Sequence, residues 1–235
     1  MINTILFDLD GTLLPMDQEE FIKLYFKGLY IKFHETYDFD VLSKTIWKGT
    51  KAMTNNDGKL SNEDVFWNMA FKEMGLSKEE NEDRFKDFYN NEFAIARGAT
   101  KANPAIIECI HQLKAKGFTI VAATNPLFPQ VATQNRLRWA GFDPADFALI
   151  TTYEDSHFCK PNLNYYTEIL EKLGKKPEEC MMVGNDNQED MCAEALGIKG
   201  FLVKNCLINR DDAPITCSWQ GTWADFIQWC DCLKL

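Results

Sequence analysis

The chain has 235 residues, enough for a sizeable core in one domain with an insertion or in two small domains. Its 25 basic and 35 acidic residues give a formal charge of −10, so the surface field repels nucleic acid and anionic membrane, and neither is an expected partner. No apolar run approaches a membrane span, no leader pattern opens the chain, and no repeat or low-complexity tract is present.

The eight cysteines are scattered and form no CxxC pair. That argues against a zinc site or a disulfide framework and for a reduced, cytoplasmic setting. A monomer or weak homodimer is expected.

The first element is a strand. Ile5, Leu6 and Phe7 are apolar on both faces, as in a strand covered on both sides, and the strand runs into "FDLDGTLL" (7–14). Asp8 and Asp10 at its end are costly unless a positive charge sits there. Asp-Gly between apolar residues is also a hairpin signal, the plainer reading of this stretch taken alone.

Residues 16–99 read as a helical insertion. Phe21, Leu24, Tyr25 and Leu29 share one face. Ser61 with Asp64 and Ser77 with Glu80 mark capping-box starts, and Gly75 marks a helix stop. Between them, "MTNNDGKLSNED" (53–64) places Asn55, Asp57, Gly58, Leu60 and Asp64 at positions of a calcium loop. Met53 at the first ligand position and Asp64 at the last depart from that pattern, so a polar turn between helices is the expectation.

From about residue 100 the pattern alternates. Helices are predicted over 104–116, 129–140, 162–173 and 188–196, and strands over 118–124, 147–152, 180–184 and 200–203. Short apolar strands alternating with such helices imply a Rossmann-like α/β fold: a parallel sheet with helices on both faces, to which the N-terminal strand also belongs. Residues 1–15 and 100–235 then form one core. The final "WADFIQWCDCL" (223–233), with Cys230 and Cys232, reads as an amphipathic helix packed on that core, a dimer contact being the lesser alternative.

In open α/β sheets the binding crevice lies beyond the carboxyl ends of the strands. The polar residues there are Asp8 and Asp10, Thr124 and Asn125, Lys160, and Asn185, Asp186 and Asp190. Several carboxylates at that density call for a cation, and hard oxygen ligands suit Mg²⁺, whose coordination a phosphate commonly completes. Lys160 and the Thr124 hydroxyl would make a local anion site in a negatively charged protein. His157, three residues before Lys160, is a weaker candidate for the pocket wall.

"DLDGT" (8–12), "AATN" (122–125), "KP" (160–161) and "VGNDNQED" (183–190) resemble, in order, the four motifs of the haloacid dehalogenase-like hydrolases. The inserted block resembles that superfamily's α-helical cap. The resemblance implies a Mg²⁺-dependent phosphatase acting on a small phosphorylated metabolite. Asp8 would attack phosphorus and form an aspartyl-phosphate, and Asp10 would serve as general acid and base. Thr124, Asn125 and Lys160 would hold the phosphoryl group, and the Asp10 carbonyl would be a metal ligand.

One departure stands out: Asn185 follows Gly184 where the family usually has Asp. Of the residues there, Asp186 is the expected ligand beside Asp8 and Asp10, with Asn185 or Asp190 as further candidates. A phosphomutase or other phosphotransferase, a phosphonate hydrolase and a non-catalytic phosphate-binding module are the alternatives. A dehalogenase fits poorly because Asp10 is present. Closure of the cap is expected to hinge near 15–17 and 97–101.

Overall fold

The structure is a computed structural model that describes residues 1–231 and 233. Its sheet holds six parallel strands in the order β3-β2-β1-β4-β5-β6. These are β1 (Thr4–Phe7), β2 (Thr119–Ala122), β3 (Leu149–Ile150), β4 (Cys180–Gly184), β5 (Lys199–Val203) and β6 (Trp219–Gly221). Eight α-helices accompany them among the described residues: α1 (Gln18–Phe33), α2 (Phe39–Thr54), α3 (Asn62–Met74), α4 (Lys78–Asn90), α5 (Pro104–Ala115), α6 (Gln130–Ala140), α7 (Leu163–Leu173) and α8 (Trp223–Asp231).

β1 is central because its side chains are apolar on both faces. Ile5 and Phe7 enter one core with Ile106 and Ile110 of α5 and Phe226 of α8. Leu6 points the other way, into a second core with Tyr165, Tyr166 and Ile169 of α7. All four β1 residues are buried. The register sets Phe7 beside Ala122 and Val183, and two bonds extend it past the strand end: Asp8 N–H to Val183 O at 2.9 Å and Ala123 N–H to Phe7 O at 2.7 Å. Asp8, Ala123 and Gly184 are thereby brought level.

The elements between β1 and α5 are all helical: α1 to α4 and a 3-10 segment, Glu92–Ala99. They enclose a third core built on Phe21, Leu29, Phe33, Trp67 and Phe88. Ser61 accepts the Asp64 amide and Gly75 ends α3 at φ +70°, whereas the Ser77 hydroxyl makes no capping bond to α4. Two adjacent passages join this block to the sheet. Asp17 N–H bonds Ala99 O and Lys101 N–H bonds Pro15 O, both at 3.0 Å, around a Met16–Thr100 bridge.

The strands are shorter than the apolar runs suggest. Over 118–124 only Thr119–Ala122 is strand, and over 147–152 only Leu149–Ile150. Over 188–196 a turn precedes a 3-10 segment, Met191–Leu196, in place of a helix. Asp186 Oδ1 takes the amides of Gln188 and Glu189, both at 2.9 Å, which tightens the chain there. Of the C-terminal helix, Trp223, Phe226 and Cys230 are buried in the core, and Cys232 lies outside the described residues.

In the polar turn 53–64, Asp57 pairs with Lys59 at 2.6 Å, and the Asn56 amide bonds Leu60 O and Asn62 Oδ1, both at 2.9 Å. Its backbone docks against the loop after β3, Asn62 N–H reaching Ser156 O at 2.8 Å.

Candidate active site

Residues from three strand ends line one cavity of about 230 Å³, including Asp8, Asp10, Thr124, Asn125, Asn185, Asp186 and Asp190. Two charged residues outside the sequence-derived set, Glu189 and Arg210, line it as well. Lys160 sits behind Asp8. The expectation for His157 fails: its ring bonds Glu168 at 2.9 Å and lines a separate cavity beside Phe158, because its loop turns toward α7.

Lys160 is 2% exposed and lies in the turn before α7. Its ammonium spans two carboxylates, Asp8 Oδ1 at 2.9 Å and Asp190 Oδ1 at 2.6 Å, and its amide bonds Asn125 Oδ1 at 3.2 Å. Burial by itself would depress this lysine, but Asp190 and Asp8 hold it well above the ordinary value, so it stays charged. The Lys160–Asp190 pair ties the third strand end to the fourth, and within the fourth Asp190 Oδ2 accepts the Asp186 amide at 2.9 Å. A Cβ at Gly184 would overlap the Asp190 carboxylate, so the close approach needs glycine there.

Asp8 is strongly perturbed. Burial pushes its carboxyl up to about 8, with Lys160 opposing and Asp190 and Asp10 adding to the rise. Asp10 is also raised by burial, against the opposing charges of Arg136 and Lys160. Arg136, on α6, is fully buried and pairs with Asp10 Oδ2, and its guanidinium lies 4.4 Å from the centre of the Phe128 ring. Asp10 Oδ1 is buried without a partner among the described residues.

Asn185 is held on both sides. Its side chain accepts from the Thr12 hydroxyl at 2.9 Å and donates to Cys206 O at 2.6 Å. Gly11, at φ +86°, lies against it, and a Cβ there would come within 2.5 Å of the Asn185 amide nitrogen. Asp186 faces the cavity with Arg210 at 2.8 Å, and Glu189 meets the same guanidinium at 3.3 Å. The Asn125 side-chain amide donates to Glu189 at 3.0 Å. The Thr124 hydroxyl and the backbone N–H groups of Asp10 and Asn125, all residues of the cavity wall, make no hydrogen bond to the described residues, so each can donate to an anion.

The side chains of Asp8, Asp10 and Asp186 do not converge on one point: among the described residues, no three His, Cys, Asp or Glu side chains form a group that could hold a metal ion. Each of the three aspartates turns to its own cation, Asp8 to Lys160, Asp10 to Arg136 and Asp186 to Arg210. The donor set nevertheless fits a hard divalent cation. Five carboxylates (Asp8, Asp10, Asp186, Glu189 and Asp190) stand against three cations, a formal excess of two negative charges. Asp190 and Asp10 add to the rise that burial imposes on the Asp8 carboxyl, and a divalent cation beside it would oppose that rise.

A family model of haloacid dehalogenase-like hydrolases matches residues 2–195. The chain belongs to that family. It is also similar, at 24% identity over 236 residues, to a glyceraldehyde 3-phosphate phosphatase of Methanothermobacter thermautotrophicus, covering 90% of this chain and 89% of that one. Among solved structures, the HAD phosphatase of Thermococcus onnurineus shares the fold at TM-score 0.60 and 19% identity, with 100% of each chain covered. YfnB of Bacillus subtilis, described as bound to magnesium and as showing interdomain movement, does so at TM-score 0.57 and 20% identity, covering 98% of this chain and 99% of that one.

Arg136 and Arg210 escaped the sequence reading. Arg136 stands among helical residues whose charges ordinarily face water, and Arg210 follows the last predicted strand in a polar loop. No local pattern distinguishes either from a surface arginine.

Proposed function

We propose that this hydrolase is a Mg²⁺-dependent phosphatase that cleaves small phosphate monoesters through an aspartyl-phosphate on Asp8. One observation carries the reading: Asp8 is clamped by Lys160 at 2.9 Å beside Asp10, whose Oδ1 remains unpaired. A binding module needs no such pair.

An Asp8 oxygen forms the bond to phosphorus as the bond to the ester oxygen breaks. The electron pair goes to that oxygen, and Asp10 supplies the proton that releases it as an alcohol. Water then attacks phosphorus, Asp10 takes one of its protons, and inorganic phosphate leaves with Asp8 regenerated. Lys160 offsets the negative charge of Asp8 and the phosphoryl group, while the Thr124 hydroxyl and the free backbone N–H groups hold the phosphoryl oxygens. Asp8, Asp186 and the Asp10 carbonyl would hold Mg²⁺, which supplies charge neutralisation at the phosphoryl oxygens.

In this reading residues 16–99 act as a cap on a core formed by residues 1–15 and 100–235. The paired passages at 15–17 and 97–101 serve as its hinge, and closure excludes water from the phospho-enzyme. Movement in YfnB is consistent with that. The unpaired thiols fit a cytoplasmic enzyme, and no helix among the described residues is long and apolar enough to cross a membrane.

The test is phosphate release from an aryl phosphate with Mg²⁺ present and omitted, in the wild type and in Asp8→Asn. Mg²⁺-dependent release that vanishes in the variant supports the assignment. Full activity in Asp8→Asn would overturn it.

A further inference from the structure

A second cavity, of about 280 Å³, adjoins the first and differs from it in chemistry. It lies between the helical block and the loop after β2. The two share Asp10, Gln18, Leu127 and Phe128 in their walls, so they lie side by side. Ten of the eighteen residues lining the second cavity are aromatic, among them Phe21, Phe66, Trp67 and Phe128. No lysine, arginine or histidine lines it, and Asp10 is its one acidic group.

The geometry points to a substrate class. Resting on the phosphatase reading above, we propose that the ester carries an uncharged apolar alcohol, alkyl or aryl, whose hydrocarbon occupies this second cavity. Asp10 fixes the direction. The group that protonates the leaving oxygen must lie on the leaving-group side of phosphorus, and Asp10 lines both the phosphate cavity and the aromatic one.

Chemistry and size agree. A second phosphate or a carboxylate on the substrate would meet no lysine, arginine or histidine in this cavity. Tyr25 and Tyr89 bond each other at 3.3 Å, and burial pushes the Tyr25 hydroxyl up to about 12, so these phenols stay neutral. A cavity of ~150 Å³ lined with apolar side chains takes benzene, so 280 Å³ has room for about ten carbon atoms. At the rim, Trp47 is 52% exposed and its ring stacks on Phe26 with centroids 5.5 Å apart. It closes the wall without being part of the buried core.

The test uses ethyl, butyl, hexyl and octyl phosphate. These share nearly the same leaving-group basicity, so chain length reports binding of hydrocarbon rather than intrinsic reactivity. The expectation is a kcat/KM that rises about threefold to fourfold per added methylene until the cavity is full, and a hexyl-to-ethyl ratio that Trp47→Ala lowers. A flat series, or a preference for glycerol phosphate or phosphoglycolate, would overturn the apolar subsite while leaving the phosphatase reading intact. The matching alkylphosphonates, which are not hydrolysed, supply a readout without turnover: quenching of Trp47 and Trp67 fluorescence should give affinities that tighten with chain length. Tightening without turnover of any ester would uphold the subsite and remove the phosphatase reading. Affinities that ignore chain length would overturn the subsite.

Discussion

Arg136 reaches Asp10 from a position with no exposed surface, the two residues lying 126 apart in sequence. A guanidinium with no access to water is held by what it pairs with: Asp10 on one side, the Thr133 hydroxyl at 3.2 Å and the Phe128 ring on the others. One Asp10 oxygen is fixed by this contact and the other is left free. That division suits a carboxyl that must present one oxygen to a leaving group in a set orientation.

Arg136→Gln should therefore change the pH dependence of turnover as well as stability. Removing one partner of a buried ion pair typically costs about 3–5 kcal/mol. Arg136 also opposes the burial that raises Asp10. Without it Asp10 should hold its proton to higher pH, and an acid that must be protonated moves the alkaline limb of kcat upward. Arg136→Lys, which keeps the charge, should leave that limb close to its wild-type position. A Gln variant that is less stable but has an unmoved limb would make Arg136 a purely structural residue.

Asp10→Asn should cut turnover by about 10²–10⁴, the usual loss for a general acid. Phosphate binding, measured by calorimetry, should persist, since Lys160 and Thr124 are untouched. Near-normal turnover would refute the role given to Asp10.

The raised carboxyl of Asp8 links stability to pH in the metal-free protein. Its folded value of about 8 lies above the ordinary 3.8, so between those values the folded state holds a proton that the unfolded chain has released. Stability from this group is complete below 3.8 and is lost as pH rises through about 8. In a chelating buffer, Tm should fall from pH 5 to pH 8, and Asp8→Asn should flatten that slope. Mg²⁺ competes with the proton on Asp8, so it should raise Tm more at pH 8 than at pH 5. A larger Mg²⁺ effect at pH 5 would place the metal elsewhere.

In the proposed site Arg210 would compete with Mg²⁺ for Asp186. The guanidinium lies 2.8 Å from the carboxylate and is 51% exposed, so the pair is weakly held. Exposed ion pairs are worth about 0–1 kcal/mol, so Arg210→Ala should tighten Mg²⁺ binding by at most about fivefold, with Asp186→Asn weakening it. Calorimetric titration with MgCl₂ measures both. Weaker Mg²⁺ binding in Arg210→Ala would mean that Arg210 supports the metal site instead of competing for it.

The sequence by itself determined the parallel α/β core, the helical character of the insertion and the carboxylate, lysine and threonine positions at the strand ends. These follow from local chemistry: apolar runs covered on both faces, helix stops at glycine, and charges placed where a buried strand ends. It overstated β2 and β3 because apolar content records burial, whereas a strand also needs a neighbour in register. β6, with only Trp219–Gly221, is too short to show a period. Tertiary structure alone decided that Arg136 is buried against Asp10, that Arg210 meets Asp186, that His157 turns to Glu168, and that aromatic rings from distant helices enclose a cavity beside Asp10. Each depends on two segments far apart in the chain meeting in space, and a side chain's charge or ring says nothing about its partner until packing supplies one.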